Sequence, residues 1–380
     1  MAKPRKQRFA AKEQALVEKL RNSIISGRYA PEARLPVRRE LHRKFNVSSV
    51  TVQRAMDTLT KDGFIRAQGR AGSFISPRPP HLTRFGLVFL RPTLSRFWAV
   101  LRDQACALAP EIGCDFDFYL DIAGHTDSPD YQRLVYDVQH RRLAGLFYTH
   151  RLQIPLHQTF FPKARVPLVV QNDEQQPDLA ECASLRLDNA AWRNQAVTYL
   201  KSRGRRRIAV LTIPGVFTER TSLESPLISA IQAAGLITRP AWVQATEAPY
   251  AEWASHAVQA MFQLPPGERP DGLIITDDHL VEAGARGLKA MNLRTPEDLD
   301  VVAHCNYPAL PNVDVPVCWL GFDSRSIILN AIRLLRTSQT EMTAVIPALF
   351  EKEWRAANIP IDMRERGIWQ PEGLTAVGQN

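Results

Sequence analysis

No apolar run in this sequence outgrows a strand. The longest, such as Phe85–Leu90 and Ile208–Ile213, fall far short of the roughly 20 residues a bilayer span requires, so a membrane protein is not expected. The basic N-terminus from Met1 to Ala11 is followed by no apolar stretch or small-residue cleavage site; a secretory signal is not expected either, and the cytoplasm is the expected compartment. Cysteine is sparse and odd in number (Cys106, Cys114, Cys182, Cys305, Cys318), with no Cys-x-x-Cys pair and no histidine at zinc-ligand spacing. Buried thiols in a reducing compartment fit that usage better than disulfides or a metal site. Also missing are Gly-x-Ser-x-Gly, His-Glu-x-x-His, a phosphate-cradling Gly-x-x-x-x-Gly-Lys and any lysine context for a pyridoxal cofactor. No catalytic residue and no cofactor are therefore expected. Asp277-Asp278-His279 is the one acid/base cluster an enzyme could use.

What is present is an uneven charge. Residues 1–84 hold 19 Lys/Arg against 6 Asp/Glu, whereas the remaining residues hold 29 against 33. A basic head on a mildly acidic body is the footprint of polyanion binding, or of a merely solvated basic surface; the pattern beneath the charge decides between them. With 45% hydrophobic residues over 380, the chain can build two ordinary globular domains, one of them bilobed.

In the head, Val17, Leu20 and Ile24 recur at helical spacing and stop at Gly27. Leu35-Pro36 reads as the opening of a second helix, with proline at its first position and Val37, Leu41 and Phe45 on one face. Arg38, Arg39, His42, Arg43 and Lys44 then occupy the rest of its surface. After the turn Asn46-Val47, Ser48 is a candidate N-cap for a third helix whose Val52, Ala55, Met56 and Leu59 face inward, ended by Gly63. Two β-prone runs, Phe64–Ala67 and Ser73–Ile75, flank the tip Gln68-Gly69-Arg70-Ala71-Gly72. Helix, helix, tight turn, helix and hairpin make a winged helix-turn-helix.

The segment LRNSIISGRYAPEARLPVRRELHRKFNVSSVTVQRAMDTLTKDGFIRAQGRAGSFI resembles the DNA-binding domain of GntR-type regulators. The resemblance is carried by Gly27, Leu35-Pro36, Arg39, Leu41, Val47-Ser48, Thr51-Val52, Ala55, Leu59, Gly63 and Gly72-Ser73-Phe74-Ile75 in register. It implies that the third helix enters the major groove of duplex DNA, with Ser49, Thr51, Gln53 and Arg54 as base readers beside Ser48. Gln53 suits adenine and Arg54 guanine. Arg38 and Arg39 are expected on phosphate or a base, and Arg70 on phosphate or in the minor groove, where Gly72 lets the backbone approach. Val37, Ser49 and Gln53 depart from the Ser, Arg and Arg common in such proteins, which implies a different operator sequence.

Beyond the proline-rich segment Ser76–His81, strands and helices alternate: strands at Phe85–Leu90, Asp115–Leu120, Gly145–Tyr148, Pro167–Gln171, Ile208–Ile213, Ala241–Gln244, Gly272–Thr276 and Leu299–Ala303 are separated by helical patterns. Two such sets imply two lobes with parallel sheets. The stretches RRLAGLFYTH, VPLVVQND, LRLDNAAWRNQAVTYLKSRGRRRIAVL, RPDGLIITDD and RTPEDLDVVAHCN resemble the periplasmic-binding-protein-like sensor of LacI/GalR-type and AraR-type regulators. The expected organisation is residues 1–76 winged helix-turn-helix, 77–83 stiff extended linker, 84–340 α/β bilobed periplasmic-binding-protein-like sensor with parallel sheets, and 341–380 tail. The resemblance places the lobes at 84–184 plus 318–340 and at 188–315, with a ligand cleft between them.

For that cleft, Asn172, Asp277 and Asp278 stand at strand C-termini, where open α/β sheets bind ligands. Phe97, Trp98, Trp319 and Phe322 are candidates for stacking on a sugar or base, although aromatics at such spacing also fill cores. Arg220 is a further candidate. Sugar-binding members of the resembled group place an arginine, a glycine and an aspartate where this sequence has Leu223, Pro226 and Cys305. The run Arg203-Gly204-Arg205-Arg206-Arg207 reads as a solvated turn. The expected function is therefore DNA-binding regulation, with repression as the outcome, by a homodimer on an operator and under a small-molecule effector such as a sugar. One alternative is a sensor that has lost its ligand and only dimerises; another is a solute-binding protein.

Overall fold

The computed structural model describes residues 5–89, 96–120, 122, 126–149, 166–172, 182–214, 225–337 and 342–357. The head consists of α1 (Arg5–Ile25), α2 (Arg38–Phe45), α3 (Ser49–Lys61) and the hairpin β1 (Ile65–Ala67) and β2 (Ser73–Ile75), paired antiparallel with Ile65 opposite Ile75. Leu16, Val17, Leu20, Ile24, Leu41, Val52, Ala55, Met56, Leu59 and Phe64 form one core. Burying a leucine such as Leu41 contributes about 2 kcal/mol. Ser48 caps α3, its Oγ accepting from Thr51 N at 3.1 Å. Gly63, at φ +83°, turns the chain into the wing. Pro36 does not open α2 as expected. The helix begins at Arg38, with Val37 as N-cap and the Glu40 carboxylate accepting from Val37 N at 3.2 Å, so the glutamate does the terminal work expected of proline.

The segment expected to be an extended linker is partly folded: Pro80–Thr83 form one helical turn, α4, with proline at its start, and His81 stacks on Phe64 at 5.6 Å. The body then builds two six-stranded sheets. The first has order β13-β7-β6-β5-β3-β4, from β3 (Arg84–Val88), β4 (Asp115–Tyr119), β5 (Gly145–Tyr148), β6 (Leu168–Asn172), β7 (Ala183–Leu187) and β13 (Thr343–Ile346), all parallel. The second has order β14-β12-β11-β10-β8-β9, from β8 (Ile208–Thr212), β9 (Val243–Ala245), β10 (Gly272–Ile275), β11 (Asp300–Tyr307), β12 (Cys318–Asp323) and β14 (Leu349–Phe350); only β14 runs antiparallel. The helices between them are α5 (Arg96–Glu111), α6 (Pro129–Gln139), α7 (Asn189–Ser202), α8 (Pro226–Ala233), α9 (Trp253–Phe262), α10 (Val281–Ala290), α11 (Ser324–Thr337) and α12 (Glu351–Ala357).

Two boundaries differ from expectation. The segment 318–340 does not belong wholly to the first lobe: β12 is a strand of the second sheet, in register with β11 (Val302 opposite Cys318), and only α11 returns to the first lobe, where Leu335 packs over Gly145. Residues 342–357 are not tail. β13 closes one edge of the first sheet, β14 one edge of the second, and Trp354 of α12 stacks on Tyr307 at 4.7 Å. The main chain thus passes between the lobes at Leu187–Asp188, Asp323–Ser324 and Ile346–Leu349. At Gly321 the strands β12 and β11 approach so closely that a Cβ would lie 1.9 Å from the Cys305 carbonyl oxygen. The basic run after α7 is not free either. Arg203 and Arg205 both pair with Asp300, and Arg207 with Asp271.

Candidate nucleic-acid interface and interlobe cleft

The exposed end of α3 is its N-terminal turn. Ser49 and Arg54 are exposed, and Gln53 is half-buried, its amide donating to Asp57 at 2.6 Å. Arg54 lies 3.8 Å from Glu13. Thr51, expected to read bases, is buried at 5% exposure, and its hydroxyl is 2.8 Å from that of Ser48. The capping bond draws both side chains onto the helix end, so Ser48 and Thr51 hold α3 in place and Ser49 and Gln53 remain to be presented. Val50 is 59% exposed beside them. It was legible as the one apolar residue of this helix left over from the stripe Val52, Ala55, Met56 and Leu59, and an exposed aliphatic group there suits a thymine methyl.

Around that turn Arg38, Arg39, Arg43 and Lys44 of α2 are exposed, and none of them makes an ion pair among the described residues. The wing tip is a 3-10 turn, Gly69–Ala71, with Arg70 exposed on it. Gly72, at φ +108° and ψ −158°, occupies backbone space that a side chain would strain, which brings β2 back to the Arg34 guanidinium. Cationic α2, the α3 N-terminus and the wing make a surface fit for a duplex.

In the body, the C-terminal edges of the two sheets face each other. α5 follows the C-terminal end of β3, and its first residue reaches the loop after β10: Arg96 N donates to His279 Nε2 at 3.1 Å, and its guanidinium pairs with Glu282 at 2.6 Å. His279 Nδ1 lies 2.7 Å from Asp277 Oδ1. Burial opposes the charge on Asp277, but the bonds and field of His279 outweigh it and hold the carboxyl below its usual range. Asp278 goes the other way, raised by burial and by Asp277 next to it, while Asn306 donates to it at 2.9 Å. Burial lowers His304, on the same strand as Asn306. Asp277, Asp278 and His279 bring their ligand-type atoms within 4.8 Å of one another, and the protein itself supplies partners to all three.

The remaining cleft candidates separate. Asn172 is buried at the end of β6, bonded to Ser184 at 3.2 Å. Phe97 and Trp98 are half-buried at the start of α5, Trp98 edge-on to Phe89 at 5.9 Å and covered by Arg102 at 4.8 Å. Trp319 and Phe322 are core residues. Trp319, the second residue of β12, lies towards the N-terminal end of that strand, away from the cleft, and Phe322 is 1% exposed against His304. Both follow from β12 lying inside the second sheet, where alternate side chains are enclosed. Arg220 and Leu223 lie outside the described residues. The contacts of Arg96, His279 and Glu282 went unforeseen, because only the fold brings residues so distant in sequence together.

Comparison with known proteins finds matches in two parts of the chain. Residues 12–75 match the model of bacterial regulatory proteins of the gntR family, and residues 197–346 that of the periplasmic binding protein-like domain. The chain is similar to the HTH-type transcriptional repressor CytR of Escherichia coli, 22% identical over 183 residues, covering 48% of this chain and 52% of that protein. The head is similar to the uncharacterized HTH-type transcriptional regulator YurK of Bacillus subtilis, 38% identical over 63 residues, covering 17% of this chain and 25% of the other. The chain thus spans about half the length of CytR and less of YurK. Among solved structures, a LacI family regulator from Lactobacillus casei with bound glucose shares 19% identity at a TM-score of 0.54, covering 71% of this chain and 98% of the other. The regulator CelR in complex with cellobiose shares 17% at 0.54, covering 80% and 90%. At such identities the likeness is one of fold. The chain therefore joins a head that matches the model of gntR-family bacterial regulatory proteins to a body that matches the periplasmic binding protein-like domain and shares its fold with the LacI-family structures.

Proposed function

We propose that this protein is a transcription regulator, a repressor that binds operator DNA as a homodimer in the cytoplasm and is modulated by a small molecule held between the two lobes. The observation that carries the reading is the presentation of Ser49, Val50, Gln53 and Arg54 on the open end of α3, flanked by Arg38, Arg39 and Arg70, which make no ion pair among the described residues. Ser49, Gln53 and Arg54 read base edges in the major groove, the α2 arginines hold phosphates, and Arg70 with Gly72 follows the backbone or minor groove. Repression is supported by the name of CytR, and a sugar as effector by the glucose and cellobiose in the L. casei and CelR structures. In the cleft, Asp277, Asp278, Asn172 and the edge of Trp98 are the groups for a polar ligand, whose binding shifts the population between two lobe arrangements.

One set of contacts favours a second reading, a body that serves only to pair two heads: the polar groups facing the cleft already satisfy one another, Asn306 with Asp278, Thr276 with Thr212, Asn172 with Ser184. A gel-retardation selection from a random duplex pool, run with the full chain at low salt, tests the DNA reading. It is expected to recover a near-palindromic site; recovery of no preferred sequence refutes it. A thermal-shift screen of sugars, nucleosides and small acids decides between the two bodies, since only a true ligand raises the melting temperature with concentration.

A further inference from the structure

The head rests on the body through a buried ionic node at the far end of the recognition helix. Asp62, the C-cap of α3, is 1% exposed. One carboxylate oxygen accepts from Arg21 of α1 at 2.6 Å; the other accepts from the Tyr136 hydroxyl of α6 at 2.9 Å, with Arg142 Nε at 3.8 Å. A second nitrogen of Arg21 reaches His140 Nδ1 at 3.2 Å, and Tyr136 meets His140 edge-on at 4.2 Å. The network continues into the first lobe. Arg142 donates to Asp137 at 2.6 Å, and the other Asp137 oxygen accepts from the Tyr119 hydroxyl at 2.7 Å. Tyr119 ends β4, and the next residue, Leu120, donates its N–H to Asp130 of α6 at 2.8 Å.

Separating head and lobe leaves Asp62 its Arg21 partner within the head but breaks the Tyr136 hydrogen bond to the carboxylate and removes Arg142 from its side, so these two lobe groups favour the docked head. The head is therefore tied to α6 at one well-defined point. Beside that point lies a cavity of about 310 Å³, lined by Glu13, Glu18, Arg21, Thr58, Tyr136 and His140, so α1 and α3 are not wedged against α6 along their whole length. Thirteen residues of α3 span about 20 Å, and a tilt of about 10° at Asp62 moves the Ser49 end by about 3 Å, close to one base-pair rise.

We propose that α6 is the docking surface for the head and that Asp62 with Tyr136 and Arg142 is the positioning contact through which the first lobe sets the orientation of α3. The inference rests on the DNA-binding reading and adds its route of regulation. Coupling is reciprocal: if the lobe orients the head, DNA on the head alters the lobe. Hydrogen exchange in the full chain, with and without the duplex recovered from the random pool, reads this directly. In the wild type, DNA changes protection in α6 and at the end of β4. Tyr136→Phe keeps the ring and loses only the hydroxyl bonded to the carboxylate. It binds the same duplex, with a transmitted change smaller by about tenfold or more, as expected for a bond to a charged group. Asp62→Asn gives the same loss, and Tyr136→Phe decides alone if that variant does not fold. Equal protection changes in wild type and Tyr136→Phe, or DNA binding with no response in α6, overturn the proposal. If the wild type binds no duplex, the DNA-binding reading falls and takes this one with it.

Discussion

Removing Arg70 should change how binding responds to salt more than it changes which sequence is bound. On α2 and the wing, each head presents five exposed cations without an ion-pair partner among the described residues: Arg38, Arg39, Arg43, Lys44 and Arg70. Arg66 is excluded because Glu32 holds it at 3.2 Å, and Arg54 because Glu13 is near and its task is a base. If all five neutralise phosphates, the slope of log K against log salt is about −4.5 per head and about −9 for a pair, at about −0.9 per phosphate. Between 50 and 200 mM salt, one head then loses roughly 500-fold in affinity. Arg70→Ala should flatten the slope by about 0.9 per head, leaving the preferred sequence intact. Gln53→Ala should leave the slope alone and cost about 1 kcal/mol against the preferred site, near the low end for a bidentate base contact, because Gln53 must first release Asp57. Fluorescence anisotropy on the selected duplex across that salt range measures both. A slope near zero in the wild type, or one that Arg70→Ala leaves unchanged, refutes the assignment of the head surface to phosphate.

Two further outcomes concern stability. Burial holds His81, stacked on Phe64, near a pKa of about 4 against an ordinary 6.5. The unfolded chain takes up this proton below about 6.5 and the folded one does not, so the stability is whole above that pH and falls away as pH drops towards 4. At pH 5 the loss is about 2 kcal/mol. Melting temperatures at pH 7 and 5 should therefore fall less for His81→Phe than for wild type, and parallel falls would clear His81 of the effect. Gly321→Ala forces a Cβ to 1.9 Å from a backbone oxygen that cannot rotate away, so it should cost about 3 kcal/mol or more and yield little soluble protein. Gly267→Ala, with nothing within 4 Å, should melt like wild type in the same scan, and equal behaviour of the two variants would refute the steric account.

The head was legible because its signals are local. Ser48, Gly63 and the stripe Val52, Ala55, Met56 and Leu59 each act within a few residues, and a helix end or face depends on little else. The body was legible as alternation, since buried parallel strands such as Ile208–Thr212 are continuous apolar runs. What escaped depends on partners remote in sequence. The allegiance of β12 is set by its pairing with β11, β13 and β14 are edge strands of four and two residues, and α12 is held by the stacking of Trp354 on Tyr307. For the same reason Trp319 and Phe322, which as sequence look like ligand platforms, are interior, and the contact of Arg96 with His279 and Glu282 spans more than 180 positions.

Because the backbone bridges the lobes three times, neither half exists as an uninterrupted piece of the gene product. A nick in any single bridge leaves two others holding, and a chain stopped before 342 strips a border strand from both sheets at once. Any movement of one lobe against the other is confined to the narrow axis those bridges define. Damage at one rim is thus inherited by the opposite lobe, and the closing residues of the described chain belong to the hinge as much as to either half.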